Sequence, residues 1–68
     1  MANFVDIMDN DGIGMVINED QISAVKEVEG GCFIHMVDGA TIPMTTENYP
    51  ADVVYGIKAR FLGARKSY

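Results

Sequence analysis

Cys32 and His35 are the side chains of this sequence best suited to hold a metal or move a proton, and they stand three residues apart. In a β-strand that spacing sends them to opposite faces, so without a bulge they cannot form one site. The chain has no second Cys or His to complete a zinc set. Cys32 therefore reads as a small apolar filler, and His35 as a partly exposed sheet residue opposite Lys26, with a ligand contact as its alternative role. The acidic turn Asp9-Asn10-Asp11-Gly12 invites a calcium reading. Setting Gly12 as the loop's invariant glycine puts Ile7 where the first oxygen ligand belongs and Asn18 where a glutamate belongs. Both ends fail. Gly12-Ile13-Gly14 opens like a dinucleotide fingerprint, but Ile17 holds the third glycine's place and no helix pattern follows. Asp6, Asp9 and Asp11 are turn and solubility residues. No serine–histidine–carboxylate set can be drawn from spacing, and Tyr49, Tyr55 and Tyr68 are too scattered for a stacking platform. The residues predict no enzyme, no cofactor and no metal.

The elements that carry these residues are legible from turn formers and periodicity. Phe4 to Met8 reads as a strand, closed by the Asp9–Gly12 turn, and Met15-Val16-Ile17 as a second, apolar on consecutive positions and so expected to be buried on both sides. Asn18-Glu19-Asp20 breaks it and suits a single turn. Ile22 to Val28 is a third strand, and Gly30-Gly31 a second tight turn. Cys32 to Val37 and Ala40 to Met44 flank Asp38-Gly39, a favoured pair for a two-residue type I′ hairpin. After Met44 the period lengthens: Tyr49, Val53, Ile57 and Phe61, with Val54 beside them, form the stripe of an amphipathic helix. Thr46 or Asn48 can cap it, Pro50 fits its first turn and Gly63 its end, while Gly56 in its interior suggests close approach to the sheet. The expected fold is a β-rich α+β domain, with about five antiparallel strands as a meander or small curved sheet within residues 4–45. A helix over about 48–62 and a basic tail at 63–68 complete it.

Sixty-eight residues, 49% of them hydrophobic, make one domain near the lower limit for a core without metals or disulfides. No run is long enough for a membrane helix, and the N-terminus lacks a signal-peptide plan. With a single cysteine the expected compartment is the cytoplasm. The net charge of −5 is unevenly distributed. Residues 1–57 hold all ten acids against Lys26, and the last eleven hold Lys58, Arg60, Arg65 and Lys66 with no acid. An acidic body of this kind repels nucleic acid over most of its surface. The basic end reads first as complement to a helix dipole plus a solvated tail, and second as a local phosphate contact.

A two-residue Asp38-Gly39 loop pairs Val37 with Ala40, His35 with Ile42 and Phe33 with Met44 on one face. Met36/Thr41, Ile34/Pro43 and Cys32/Thr45 fall on the other. Pro43 then sits at a non-hydrogen-bonded position, harmless only if its strand is an edge. Apolar residues appear on both faces, and one helix covers one face. Phe33, Val37 and Ile42 compete with Ile34 and Met36 for that cover, and the uncovered set marks an interface.

The order Asn10-Asp11-Gly12, Met15-Val16-Ile17-Asn18, Ile22, Val25, Ile34, Asp38-Gly39, Ile42 and a short helix resembles the small flagellar and swarming-motility proteins (the FlbD-like family), over residues 4 to about 60. The extra residue at Gly30-Gly31, Pro43 within a strand and the long Arg60 to Tyr68 tail depart from that pattern. The strand-rich part is also similar to LytTR-type DNA-binding domains, with Ala64-Arg65-Lys66-Ser67-Tyr68 echoing their basic end. The first resemblance implies a non-enzymatic accessory protein of bacterial motility, and carries over no individual functional residue.

These readings together predict a non-catalytic protein–protein interaction module that associates with itself, as a dimer or higher oligomer, and with another protein. Phe33, Met36, Met15 and Ile17 are its candidate apolar contacts, and Lys58, Arg60, Arg65 and Lys66 its candidate basic contacts. The alternatives are a small phage or mobile-element regulator that binds and inhibits a host protein, and a nucleic-acid binder acting through the basic tail.

Overall fold

Val5 and Ile7 alternate with Phe4, Asp6 and Met8, and that period of two builds strand β1 (Phe4–Met8). The computed structural model describes residues 3–63 and pairs β1 antiparallel with β2 (Gly14–Asn18), matching Val5 with Ile17 and Ile7 with Met15. A single 3₁₀ turn (Glu19–Gln21) follows, capped by the Asn18 side chain, whose Oδ1 accepts from the Asp20 N–H at 3.0 Å. Strands β3 (Ile22–Val28), β4 (Gly31–Met36) and β5 (Thr41–Thr45) form a second, three-stranded antiparallel sheet in sequence order. Helix α1 (Ala51–Leu62) closes the chain. The β-rich α+β fold expected from the sequence is the one observed. The meander is broken in two, because the 3₁₀ turn redirects the chain and β2 does not hydrogen-bond to β3.

One slip of register decides which residues reach the core. The β4–β5 ladder pairs His35 with Thr41, Ile34 with Ile42, Phe33 with Pro43 and Cys32 with Met44, one residue off the register that a type I′ turn imposes. The turn is of another kind. Gly39 N–H donates to the Met36 carbonyl (3.0 Å) and Met36 N–H to the Ala40 carbonyl (2.8 Å), with Asp38 at negative φ and Gly39 at +97°. That is a three-residue loop, a type I turn followed by a glycine bulge. Asp38 Oδ1 takes the Ala40 N–H at 3.0 Å, satisfying the donor that the bulge frees. The shift puts Ile34, Ile42, Cys32 and Met44 on one face, and burial of that set outweighs any preference of the turn itself. Pro43 keeps a non-hydrogen-bonded place on an edge strand, as the sequence requires.

The remaining corrections follow from the same ladder. The β3–β4 turn is centred on Glu29-Gly30, with Gly31 opening β4 opposite Val28. That turn sets a register in which His35 faces Ala24 and Lys26 faces Phe33, and a bulge at Ser23 shifts only the Ile22–Met36 pair beyond it. The helix starts at Ala51 behind Pro50, with no side-chain cap. The Asn48 and Tyr49 N–H groups both donate to the Thr45 carbonyl instead (3.0 and 2.9 Å). Gly63 keeps right-handed helical φ and ψ, donating to the Ala59 carbonyl.

Val54, Ile57 and Leu62 are the buried centre of the helix face, with Tyr49, Val53 and Phe61 half-buried at its margins. They pack with Cys32, Ile34 and Met44 of the larger sheet and Ile7 and Ile17 of the β1–β2 ribbon into one core. Gly56 does not bring the helix closer to the sheet, since a Cβ there meets no atom within 4 Å. Gly56→Ala should therefore stabilise the fold by about 0.5–1 kcal/mol, raising Tm by roughly 2–8 °C in a thermal melt. A fall in Tm would place a neighbour against this position.

Candidate interaction surface

Two outer sheet faces lie away from the helix, and their chemistry differs. On the three-stranded sheet the outward residues are mixed: Phe33 is half-buried between Lys26 and Pro43, and His35 Nδ1 lies 3.1 Å from Thr41 Oγ1. Ser23 Oγ donates to the His35 carbonyl at 3.1 Å across the bulge. Polar partners satisfy this face.

The ribbon's outer face is apolar. Val5, Ile7, Met15 and Ile17 turn inward, which leaves Phe4, Met8 and Val16 outward at 62%, 54% and 58% exposure, with Asp6 the one charge among them. Ile13, in the turn before β2, is also 64% exposed. A groove of about 570 Å³ opens beside them, lined by Ile7, Met8, Gly14, Met15, Val16 and Val53 with Asp6. Three large apolar side chains exposed together on one small face are the pattern of a contact surface.

The turn that ends this ribbon is held by hydrogen bonds of its own. Asp9 Oδ1 accepts from the N–H groups of Asp11 and Ile13, each at 2.9 Å, so this carboxylate organises its own loop. Asn10 latches the ribbon to the rest of the fold: its N–H donates to the Asn48 carbonyl (3.0 Å) and its Nδ2 to the Glu47 carbonyl (3.2 Å). Tyr49 lies half-buried beside this turn, and burial together with the Asp9 charge pushes its phenol up. Among the described residues no three His, Cys, Asp or Glu side chains come together as a metal site. Cys32 is fully buried, and burial pushes its thiol up, Lys58 pulling it part of the way back while Glu27 raises it further. A thiol so held is neutral and poorly nucleophilic.

The residues singled out from the sequence are dispersed. Ile17 is a core residue, 2% exposed, because β2 turns its odd positions toward the helix side. Met15 and Met36 are half-buried against the same core. Val16, expected to be buried with its neighbours, is the exposed member of β2. Lys58 Nζ pairs with Glu27 at 3.1 Å, and Arg60 Nε pairs with Glu19, so both bind α1 to the sheet side of the fold. Such exposed pairs contribute little stability and leave two of the four C-terminal cations neutralised locally. Arg65 and Lys66 lie outside the described residues.

Phe4 and Met8 were not among the sequence candidates, although Phe4-Val5 and Ile7-Met8 repeat in β1 the consecutive apolar pattern that drew attention to β2.

The fold and this surface define a small β-rich α+β protein with one core and an apolar ribbon face outside it. No protein-family model, curated protein or solved structure matches the chain.

Proposed function

We propose that this chain is a non-catalytic protein–protein interaction module whose contact surface is the outer face of the β1–β2 ribbon. The observation that carries the reading is the exposure of Phe4, Met8 and Val16 side by side, next to an apolar groove. At 54–62% exposure each forgoes roughly half of the about 1.5–3 kcal/mol that full burial brings. That is a large penalty for a domain of this size unless a partner covers the face. An accessory role in motility is the more specific form of this reading, supported by the turn order shared with the flagellar and swarming-motility proteins. A phage or mobile-element regulator acting on a host protein would use the same face. The distribution of charge speaks against nucleic acid as partner, since Lys58 and Arg60 are paired with Glu27 and Glu19. The double variant Phe4→Ser, Met8→Ser tests the reading. It should keep the wild-type circular dichroism spectrum and lose the proteins that co-purify with the wild type. If the variant retains every association, the contact surface lies elsewhere.

A further inference from the structure

A sheet edge is a row of unpaired backbone groups, and proteins usually blunt such rows with proline, charge, bulges or a covering element. Three of the four edges here are blunted. Edge strand β5 carries Pro43 at its centre, and edge strand β3 carries the Ser23 bulge with Lys26 and Glu27. Edge β1 carries Asp6 and runs beside α1, with Asp52, Val53, Gly56 and Arg60 lining the narrow groove between them. The edge of β2 carries none of these devices: Gly14-Met15-Val16-Ile17-Asn18 has no charge, proline or bulge.

The hydrogen-bond parity shows what that edge offers. Asp9 N–H donates to the Ile13 carbonyl, and Glu19 N–H to the Asn3 carbonyl, bracketing the β1–β2 ladder with odd-to-odd bonds. The odd residues of both strands therefore bond across the ribbon, and the even ones point their backbone groups away from it. On β2 these are Gly14, Val16 and Asn18, and among the described residues no N–H of theirs donates to a loop or side chain.

Building on the ribbon face as the contact surface, we infer that a second copy of this chain joins at the rim of that face, strand to strand through β2 in antiparallel register about Val16. Self-complementarity carries the choice. A two-fold axis at Val16 sets Val16 against the second copy's Val16, and Gly14 against its Asn18, with no like charges opposed. The same operation on β1 would set Asp6 directly against Asp6, which is destabilising. The product is a continuous four-stranded sheet, β1-β2-β2-β1, in which the open β2 edges of both copies are paired. It also gathers Phe4, Met8 and Val16 of both copies on one face.

Cysteine cross-linking decides between the edges. Opposed residues of a hydrogen-bonded antiparallel pair have Cα atoms about 5.5 Å apart, inside the range of about 4.4–6.8 Å that a disulfide spans. Val16→Cys should convert most of the protein to a linked dimer on mild oxidation. Asp6→Cys and the wild type, whose Cys32 is buried, should stay largely unlinked. Light scattering at about 10 µM should give the wild type twice the 7.4 kDa of one chain. Val16→Pro, which removes an N–H that the β1–β2 ladder does not use, should give one chain; if it unfolds, the cysteine variants still decide. A wild-type mass of one chain, or linkage through Asp6→Cys in place of Val16→Cys, overturns the inference. Neither result touches the broader interaction reading, which stands or falls on the Phe4→Ser, Met8→Ser variant.

Discussion

Gly31→Ala should be among the most damaging single-atom additions in this protein. A Cβ at Gly31 would lie 2.1 Å from the Met44 carbonyl oxygen, 2.9 Å from Thr45 Cα and 3.0 Å from the Met44 carbonyl carbon. All three are backbone atoms of β5, so no side chain can swing aside to make room. Gly31 pairs with Thr45 at the end of the β4–β5 ladder, and relief would mean prising that ladder apart beside buried Cys32 and Met44. Overpacking against unyielding neighbours costs about 1–3 kcal/mol and occasionally more, and the unusual φ of +159° adds strain for any L side chain. A loss of about 3 kcal/mol or more is expected, a large part of the stability a domain this small holds. Gly30→Ala is the matched comparison. Its φ is +85°, but the nearest atom to its Cβ is Thr46 Oγ1 at 3.8 Å, so it meets conformational strain of about 1–2 kcal/mol and no clash. Urea titrations followed by circular dichroism should place the midpoint of Gly31→Ala well below that of Gly30→Ala. Equal midpoints would mean that β5 does not run this close to Gly31.

That glycine pair shows how far local signals reach in this sequence. Gly30-Gly31 announces a turn, but only the assembled sheet separates the residue that turns from the one that must lack a side chain. Asp38-Gly39 has the same limit. The pair suits a two-residue type I′ loop and also a type I turn with a glycine bulge, and the two differ by one residue of register. What selects the second is distant: it lets Ile42 and Met44 join Ile34 and Cys32 beneath α1. The bounds of β1 and β3 agree with the sequence reading because short-range alternation and flanking turn formers suffice there.

The candidate surface was less legible, for a geometric reason. Consecutive apolar residues in β2 show that both faces avoid charge, but not which face the helix reaches. Helix α1 packs chiefly on the three-stranded sheet, and the ribbon leans its inner face on the same core through Ile7 and Ile17. That choice buries Ile17, exposes Val16 and brings Phe4 and Met8 to the surface. Lys58 and Arg60 likewise gain their acidic partners only through the fold, across separations in sequence that no local pattern records.

The same packing sets the effect of truncating neighbouring residues of β4. Ile34 is fully buried at the middle of the central strand, opposite Val25 on one side and Ile42 on the other, within the cluster that holds Val54 and Ile57. Ile34→Ala removes methyl and methylene groups from a site enclosed by two strands and a helix, where collapse of the cavity is restricted. A loss of about 3–4 kcal/mol is expected, within the usual range for such truncations, with a fall in Tm of roughly 12 °C or more. Phe33 is the larger side chain, yet it is half-buried on the opposite face, between Lys26 and Pro43. Phe33→Ala should cost less, about 2 kcal/mol, because part of the area it gives up already touched water and its loss opens no enclosed cavity. The order of the two values, Ile34 above Phe33, tests which face the helix covers without reference to any partner. Repeating the melts over a wide range of protein concentration adds a second test. Dimerisation through β2 should raise the Tm of the wild type and of both variants with concentration, since a partner that binds only folded chains stabilises them by mass action. A concentration dependence lost in Phe33→Ala alone would instead put the contact on the three-stranded sheet.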